Sequence, residues 1–122
     1  IQLNVKANTL YDQLANILRE TGKVFEEIRP DAVITLGDTN SALSLINARR
    51  MKIPTFHIEA GDRSFDINVP EELNRKLVDH TANINISYTE YSRRNLLSEG
   101  IHPSKILKAT WGSTALNGSS RR

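Results

Sequence analysis

Three acidic residues stand where the sequence could support proton transfer. Asp38 comes two residues after the apolar run "AVITL", and Glu59 ends the run "IPTFHIE". Glu71 follows a proline at the start of an amphipathic segment. Neighbouring carboxylates repel one another, and repulsion with partial burial raises the pKa of some of them, so that one site holds both an acid and a base near neutral pH. These residue types therefore indicate acid–base chemistry.

Each of the three acids also has a structural interpretation. Asp38 can cap the following helix within the turn "GDTN", and Glu59 can be an isolated glutamate at a strand end. Glu71 can interact with the helix dipole. Residues four apart on the same helix can also form surface ion pairs, and two such pairs are available: Glu71–Arg75 and Glu72–Lys76. Glu59 is the strongest functional candidate, because carboxylates are depleted in strands.

Three basic residues near these acids are candidate substrate-binding residues. His57 shares a strand face with Glu59, because side chains two residues apart in a strand point to the same side. Arg63 and Arg75 can bind a phosphate or carboxylate group, although arginines near acids are often structural partners. His57 and Glu59 lack further ligands at a recognised metal-binding spacing, so no metal site is predicted.

Alternating strands and helices are expected to position these residues. Apolar runs predict strands within residues 32–36, 53–59, 84–88 and 105–109, and helical periodicity appears between them. This pattern predicts an α/β fold, a Rossmann-like open parallel sheet with helices on both faces. In such a sheet ligands bind beyond the carboxyl ends of the strands, which is where the three acids are expected.

Helix boundaries can also be predicted. The first helix is expected over residues 9–28, with Asn8 or Thr9 as its N-cap and an interruption at Gly22 that costs about 1 kcal/mol relative to alanine. The preceding residues, "IQLNVKANT", alternate apolar and polar side chains and resemble a strand. Gly100 is expected to act as the C-cap of the last helix.

Composition limits the classes of function. The chain has 122 residues, 39% of them hydrophobic and 25% charged, which predicts one α/β domain over residues 1–109 and an irregular tail over 110–122. The net charge of +2 does not indicate a nucleic-acid partner, and no apolar run approaches the roughly 18 residues of a membrane span. With no cysteine, disulfides and thiolate chemistry are excluded and a cytoplasmic location is favoured.

Several segments closely resemble one enzyme family. The segments "PDAVITLGDTNSAL", "IPTFHIEAGDRSFD" and "VPEELNRKLVDHTANINISYTEYSRRNLLSEG" are similar to the non-hydrolysing UDP-N-acetylglucosamine 2-epimerases. The resemblance runs from about Leu3 to Lys108. The spacing from "EAG" to "PEE" and the segment "DHTANINISY" are most similar to the subgroup that converts UDP-N-acetyl-6-deoxy-L-talosamine to UDP-N-acetyl-L-fucosamine for capsule and O-antigen polysaccharides.

The resemblance implies a fold and a reaction. Family members have two Rossmann-like domains, as in GT-B glycosyltransferases, with the UDP-sugar between them. Their reaction is an anti elimination of UDP to a 2-acetamidoglycal, followed by re-addition that inverts C2, and it implies no cofactor. Asp38, Glu59 and Glu71 match the family's acidic trio and are the expected catalytic residues. His57, Arg63 and Arg75 are expected to support or bind the substrate.

The chain also departs from the family pattern. It has no "GTRPE"-type loop and no "GHRREN"-type segment, which in the family supplies a catalytic histidine. We therefore expect part of the first, GT-B-like domain, inactive as an isolated chain. The alternative is a stand-alone α/β module that binds a nucleotide sugar or oligomerises, in which a homodimer covers an exposed sheet edge.

Overall fold

The structure, a computed structural model, describes residues 9–109. Four parallel strands form one sheet in the order β1-β2-β3-β4, with β1 at Val33–Leu36, β2 at Thr55–Ile58, β3 at Ile84–Ser87 and β4 at Ile106–Lys108. The α-helices are α1 (Leu10–Ile28), α2 (Leu45–Arg50), α3 (Pro70–Thr81) and α4 (Glu90–Ser98), and 3-10 helices cover Asn40–Ser44 and Pro103–Lys105. The predicted α/β fold with an open parallel sheet is confirmed. The predicted tail over 110–122 and, apart from Thr9, the strand predicted for "IQLNVKANT" lie outside the described residues.

The sequence predicts the boundaries of α1 well and its continuity poorly. Thr9 is the N-cap, and its hydroxyl accepts a hydrogen bond from the backbone N–H of Asp12 at 3.2 Å. The predicted interruption at Gly22 is wrong, because α1 runs unbroken to Ile28. The helix buries Ile17 against the rest of the domain, and burial of one isoleucine side chain contributes about 2 kcal/mol, more than the cost of one glycine.

The C-cap of α4 is Glu99, and the glycine predicted for that role, Gly100, lies one residue further on. The helix ends at Ser98, and Gly100 follows with a φ of +89°, a conformation that glycine adopts without steric cost. The N–H of Gly100 donates to the carbonyl of Leu97 at 3.0 Å. The chain then turns through a 3-10 helix into β4. Among residues 9–109, no helix is both long and apolar enough to cross a bilayer.

The helices cover one face of the sheet. Val33 packs into an apolar cluster formed mainly by residues of the first 3-10 helix, α2 and α3. Ile106, at the other end of the sheet, packs with Leu96 of α4. Strand register aligns Val33 with Thr55 and Ile106 with Asn85, so both clusters lie on the same face. The two clusters consist of these buried residues: Ala42, Leu43, Leu45, Val78 and Ala82, and Ala60, Leu96 and Ile106.

The opposite face is open within the described residues. Ile34 and Leu36 of β1 are 63% and 59% exposed, and Leu107 of β4 is 56% exposed. Consecutive strands in sequential order joined by right-handed crossovers return on the same side of a sheet, which leaves the other side uncovered. The expectation of helices on both faces is therefore not met within residues 9–109, and β1 is not buried on both faces.

Candidate active site

The loops that carry Asp38 and Glu59 leave the sheet side by side. Leu36 and Ile58 are register partners at the carboxyl ends of β1 and β2, and the N–H of Gly37 donates to the carbonyl of Ile58 at 3.2 Å. Asp38 follows on the first loop and Glu59 begins the second. The predicted placement of these two acids at one edge of the sheet is therefore found.

Arg75 holds the side chain of Asp38. Its Nε and Nη2 donate to Asp38 Oδ2 at 2.9 and 2.8 Å, and its Nη1 donates to Glu72 Oε1 at 3.3 Å. Burial lowers the pKa of Arg75, but hydrogen bonds to Asp38 and Glu72 outweigh burial and raise it. Asn74 adds a bond from its Nδ2 to the backbone oxygen of Asp38 at 3.0 Å. Helix α3 therefore fixes the loop after β1.

Glu72, and not Glu71, is the anchored acid at the start of α3. Its carboxylate is fully buried and accepts the backbone N–H groups of Ser64 and Phe65 at 3.0 and 2.8 Å. Burial raises the pKa of Glu72, but these bonds and the one from Arg75 lower it below its usual value. The alternative of surface pairs Glu71–Arg75 and Glu72–Lys76 is wrong, because Arg75 and Glu72 take other partners.

The side-chain carboxylates of Glu59 and Glu71 have no hydrogen-bond or ion-pair partner among the described residues. Glu59 is half-buried and has a φ of +69°, which is uncommon for a residue with a side chain. Glu71 is exposed in the first turn of α3. A positive φ such as that of Glu59 is backbone strain, which concentrates at functional sites. Within residues 9–109, the oxygens of both carboxylates are therefore not engaged by a protein donor.

A buried network of charges lies behind the acids. Asp79, which is 1% exposed, contacts His57 Nδ1 at 2.6 Å and Arg63 Nη1 at 2.8 Å. Arg63 also forms a two-pronged ion pair with Glu99 at 2.8 and 2.7 Å. Burial lowers the pKa of Arg63, but the bonds to Glu99 and Asp79 outweigh it and raise the pKa further above its usual range. The bond from Arg63 lowers the pKa of Glu99 to about 2, with a smaller contribution from His80.

His57 and Arg63 are placed as supporting residues. His57 is fully buried, and its Nε2 lies 2.7 Å from the carbonyl oxygen of Gly37. The Arg63 side chain is also fully buried. Neither side chain has the exposure that direct substrate contact requires, whereas Arg75 is 22% exposed. Both ring nitrogens of His57 are engaged, so the ring offers no free nitrogen to a metal, and residues 9–109 contain no group of three or more possible metal ligands.

The sequence reasoning missed Glu72, Asp79 and Glu99. Glu72, Arg75 and Asp79 are spaced i, i+3 and i+7 along α3, which places them on one helical face. That spacing is a signal of a polar helix face directed toward the sheet, and it was available in the sequence. Glu99 gives no local signal, because its partner Arg63 is 36 residues away.

Two cavities of the described part of the chain lie away from the acids. One of about 280 Å³ is formed near the amino ends of β2 and β3, and a second of about 240 Å³ lies beside the C-terminal ends of α3 and α4. Neither is lined by Asp38, Glu59 or Glu71. The lining residues are Arg49, Lys52, Ile53, Pro54 and Asn83 in the first, and Arg49, Asp79, His80, Ala82, Gly100, Ile101, His102 and Lys105 in the second.

Known proteins are similar to this chain in sequence. A UDP-N-acetylglucosamine 2-epimerase from Methanocaldococcus jannaschii is 44% identical over 105 residues, which cover 85% of this chain and 29% of that protein. A UDP-2,3-diacetamido-2,3-dideoxy-D-glucuronate 2-epimerase from Pseudomonas aeruginosa is 37% identical over 100 residues, 81% of this chain and 28% of that protein. The chain thus spans less than a third of these relatives.

Solved structures agree with the fold. The UDP-N-acetylglucosamine 2-epimerase from Rickettsia bellii matches with a TM-score of 0.83 and 44% identity, covering 96% of this chain and 31% of that one. The enzyme from Methanocaldococcus jannaschii in complex with UDP-GlcNAc and UDP matches with a TM-score of 0.83 and 42% identity, covering 86% of this chain and 29% of that one. The family model for UDP-N-acetylglucosamine 2-epimerase matches residues 1–118, ten residues beyond Lys108. This chain belongs to the UDP-N-acetylglucosamine 2-epimerase family.

Proposed function

We propose that this chain supplies the acidic residues of a UDP-N-acetylhexosamine 2-epimerase active site. The observation that carries the proposal is the state of the three family-matched acids. Asp38 is fixed by Arg75, whereas Glu59 and Glu71 have no partner among the described residues. Asp38 and Glu59 at the carboxyl edge of a parallel sheet, one oriented and one free, together with free Glu71 in the first turn of α3, suit a reaction with several proton transfers.

The chemistry of C2 inversion explains why free carboxylates are needed. The C2 proton has no adjacent carbonyl to acidify it, so simple deprotonation is very slow. Loss of UDP from the anomeric carbon supplies the driving force, and C2 loses its proton on one face and regains one on the other. Glu59 and Glu71 are the proposed proton carriers, because their oxygens are not already committed to protein donors. Asp38 is proposed to orient the sugar or to assist proton transfer.

The supporting residues have separate proposed roles. Arg75 is partly exposed and already binds two acids, so it is the basic residue best placed to meet an anionic part of the substrate. His57 and Arg63, proposed from the sequence as substrate-binding residues, are better explained as supports of the loops after β1 and β2. No cofactor or metal is part of this proposal.

The finer identity of the substrate is also proposed. The spacing between "EAG" and "PEE" supports UDP-N-acetyl-6-deoxy-L-talosamine, while the named relatives are epimerases of UDP-N-acetylglucosamine and of a diacetamido glucuronate. We also propose that the protein is cytoplasmic, that it forms a homodimer and that residues 1–109 form one domain. Both UDP-sugars should therefore be tested side by side.

A titration of the chain with UDP-N-acetylglucosamine, followed by amide NMR, tests the site. We expect shifts at Gly37, Asp38 and Gly61, and a weaker response in Glu71→Gln than in the control Glu26→Gln on the exposed surface of α1. Perturbation confined to other parts of the protein, or none at all, would contradict the proposal. Repeating the titration with the 6-deoxy-L-talosamine sugar compares the two substrates.

Incubation in D₂O tests whether the chain is active alone, and binding by variants of the free acids separates the two candidate functions. We expect the isolated chain to bind without placing deuterium at C2, because it spans less than a third of the relatives. Deuterium at C2 or release of UDP would show that this chain catalyses the reaction alone. Binding that is unchanged in both Glu59→Gln and Glu71→Gln would favour the stand-alone binding module.

A further inference from the structure

We propose that Asp79 is a positioning residue that sets the relative placement of the two loops carrying Asp38 and Glu59. Its importance for the reaction rests on the function proposed above, but its structural action can be measured separately. Asp79 lies on α3, outside both loops, and is buried at 1% exposure. It does not contact the proposed substrate edge itself, so it acts through other residues.

A single carboxylate joins three separate partners. Asp79 Oδ1 lies 2.6 Å from His57 Nδ1, whereas Oδ2 accepts the N–H of Gly61 at 3.0 Å and Nη1 of Arg63 at 2.8 Å. These partners come from β2 and from the loop that follows it. Hydrogen bonds to a buried charged group are among the stronger bonds in proteins. Asp79 therefore determines the course of the backbone after β2.

The first branch of this arrangement reaches Asp38. His57 Nε2 lies 2.7 Å from the carbonyl oxygen of Gly37. A carbonyl oxygen can only accept, so Nε2 must carry a proton and donate it. The ring is thus held at both ends, by Asp79 and by the residue that precedes Asp38. Movement of Asp79 would be passed to the loop after β1.

The second branch reaches Glu59. Gly61 comes two residues after Glu59, and both have positive φ, +88° and +69°. A side chain at Gly61 would collide with the backbone carbonyl of Ser92, so the loop is pressed against α4. The bond from Gly61 N–H to Asp79 holds the loop in this conformation. The unusual backbone of Glu59 therefore depends on a neighbour that Asp79 fixes.

The negative charge of Asp79 is needed as well as its shape. Gly61 N–H and Arg63 Nη1 are both donors directed at Oδ2. In Asp79→Asn, the amide oxygen can take the place of Oδ2 and accept from both donors without the negative charge, while the NH₂ group replaces Oδ1 and faces His57 Nδ1. The substitution keeps the volume of the side chain and removes the charge that strengthens its hydrogen bonds to Gly61, Arg63 and His57. It is therefore a selective probe of positioning.

The test compares Asp79→Asn with Val78→Ala in the ¹⁵N-labelled chain. Val78 is the adjacent buried residue and belongs to the apolar cluster, so its substitution lowers stability without touching the network. In Asp79→Asn we expect the Gly61 amide to exchange with D₂O at least tenfold faster than in Val78→Ala at matched global stability. The ring ¹H–¹⁵N signals of His57 should shift in Asp79→Asn alone. Equal Gly61 exchange and an unchanged His57 ring would overturn the proposal.

A second readout links positioning to the proposed function. We expect the Kd for UDP-N-acetylglucosamine to rise at least tenfold in Asp79→Asn and to stay within twofold of wild type in Val78→Ala. If the wild-type chain does not bind the sugar nucleotide, the proposed function fails while the exchange and ring signals still decide the role of Asp79. An unchanged Kd beside loosened loops would overturn the part of the inference that concerns the substrate.

His57→Gln keeps the proposal testable if Asp79→Asn does not fold. This variant cuts the branch to Gly37 and leaves the bonds from Asp79 to Gly61 and Arg63. We expect the Gly37 and Asp38 amide signals to shift while the Gly61 exchange rate stays within threefold of wild type. Faster exchange of the Gly61 amide in this variant, or an unchanged Asp38 amide signal, would contradict the proposal that two separate branches meet at Asp79.

Discussion

In an ordinary α/β domain the sheet face under the helices is apolar, whereas in this domain that face is polar in its middle strands and the open face is apolar. The face under the helices carries polar residues in its middle strands, among them Thr55, His57 and Asn85, all fully buried. The face that is open within residues 9–109 carries mostly aliphatic residues, such as Ile34 and Leu107. The difference shows that polar contacts, from His57 and Asn85 to Asp79, join the middle of the sheet to α3.

Burial of this polar face is unfavourable in itself, but its directional bonds fix the loops at the sheet edge. Burying charged groups is unfavourable unless each is paired. Here Asp79 contacts Arg63 and His57, and Arg63 also pairs with Glu99. A purely apolar face would stabilise the domain without fixing the loops that carry the candidate catalytic acids. The network fixes those loops through directional bonds.

The largest effect should come from breaking this buried pairing. Arg63→Met leaves Asp79 buried without its cation, and loss of one partner of a buried pair costs about 3–5 kcal/mol. Urea denaturation followed by circular dichroism measures the free energy of unfolding. The matched control is Arg93→Met, which removes an exposed pair with Glu90 and should cost less than about 1 kcal/mol. Similar losses in the two variants would show that the network contributes little.

A smaller effect is expected where the network holds a loop. Glu72→Gln weakens acceptance from the N–H groups of Ser64 and Phe65 and should cost about 2 kcal/mol. Glu71→Gln, at the next position, should change the free energy of unfolding by less than about 0.5 kcal/mol, because that side chain is exposed. The same denaturation experiment measures both, and a larger loss in Glu71→Gln would reverse the assignment of the anchored acid.

Acid should weaken the network before it affects the apolar clusters. The pKa of Glu99 is about 2 in the folded chain against 4.5 for a free glutamate, so the unfolded state takes up the proton first. The stabilisation is fully present above about pH 4.5 and is lost as the pH falls toward 2. Denaturation midpoints across this range should fall less steeply in Glu99→Gln than in wild type. If the midpoints of wild type and Glu99→Gln fell in parallel with pH, Glu99 would not contribute to the loss of stability in acid.

Much of the fold could be predicted from periodicity. The four strands and α1, α3 and α4 follow from local patterns, and α2 is short because a 3-10 helix over Asn40–Ser44 directly precedes it. The face that each strand buries could not be predicted in the same way. In β2 and β3 the side chains alternate between polar and apolar, and a local pattern does not say that the polar ones face the helices.

The candidate site could be predicted in part. Asp38 and Glu59 stand out because they follow apolar runs, and the structure places both at neighbouring strand ends. Their partners could not be assigned, because Arg75 pairs with Asp38 from 37 residues away and Arg63 with Glu99 from 36. Ion pairs between distant segments depend on the finished fold, so sequence spacing suggested the nearer and incorrect pair Glu71–Arg75.

The smallest effect is expected on the open face, and it also tests what covers that face. Ile106 and Leu107 are consecutive residues of β4 on opposite faces, 9% and 56% exposed. Ile106→Thr should cost about 2 kcal/mol, because it places a hydroxyl in the apolar cluster. Leu107→Thr should change the free energy of unfolding by less than about 0.5 kcal/mol. Should Leu107→Thr cost as much as Ile106→Thr, the open face would be buried in solution. A second copy of the chain would then be its occupant if the loss grows with protein concentration, since dimer stability depends on concentration and monomer stability does not.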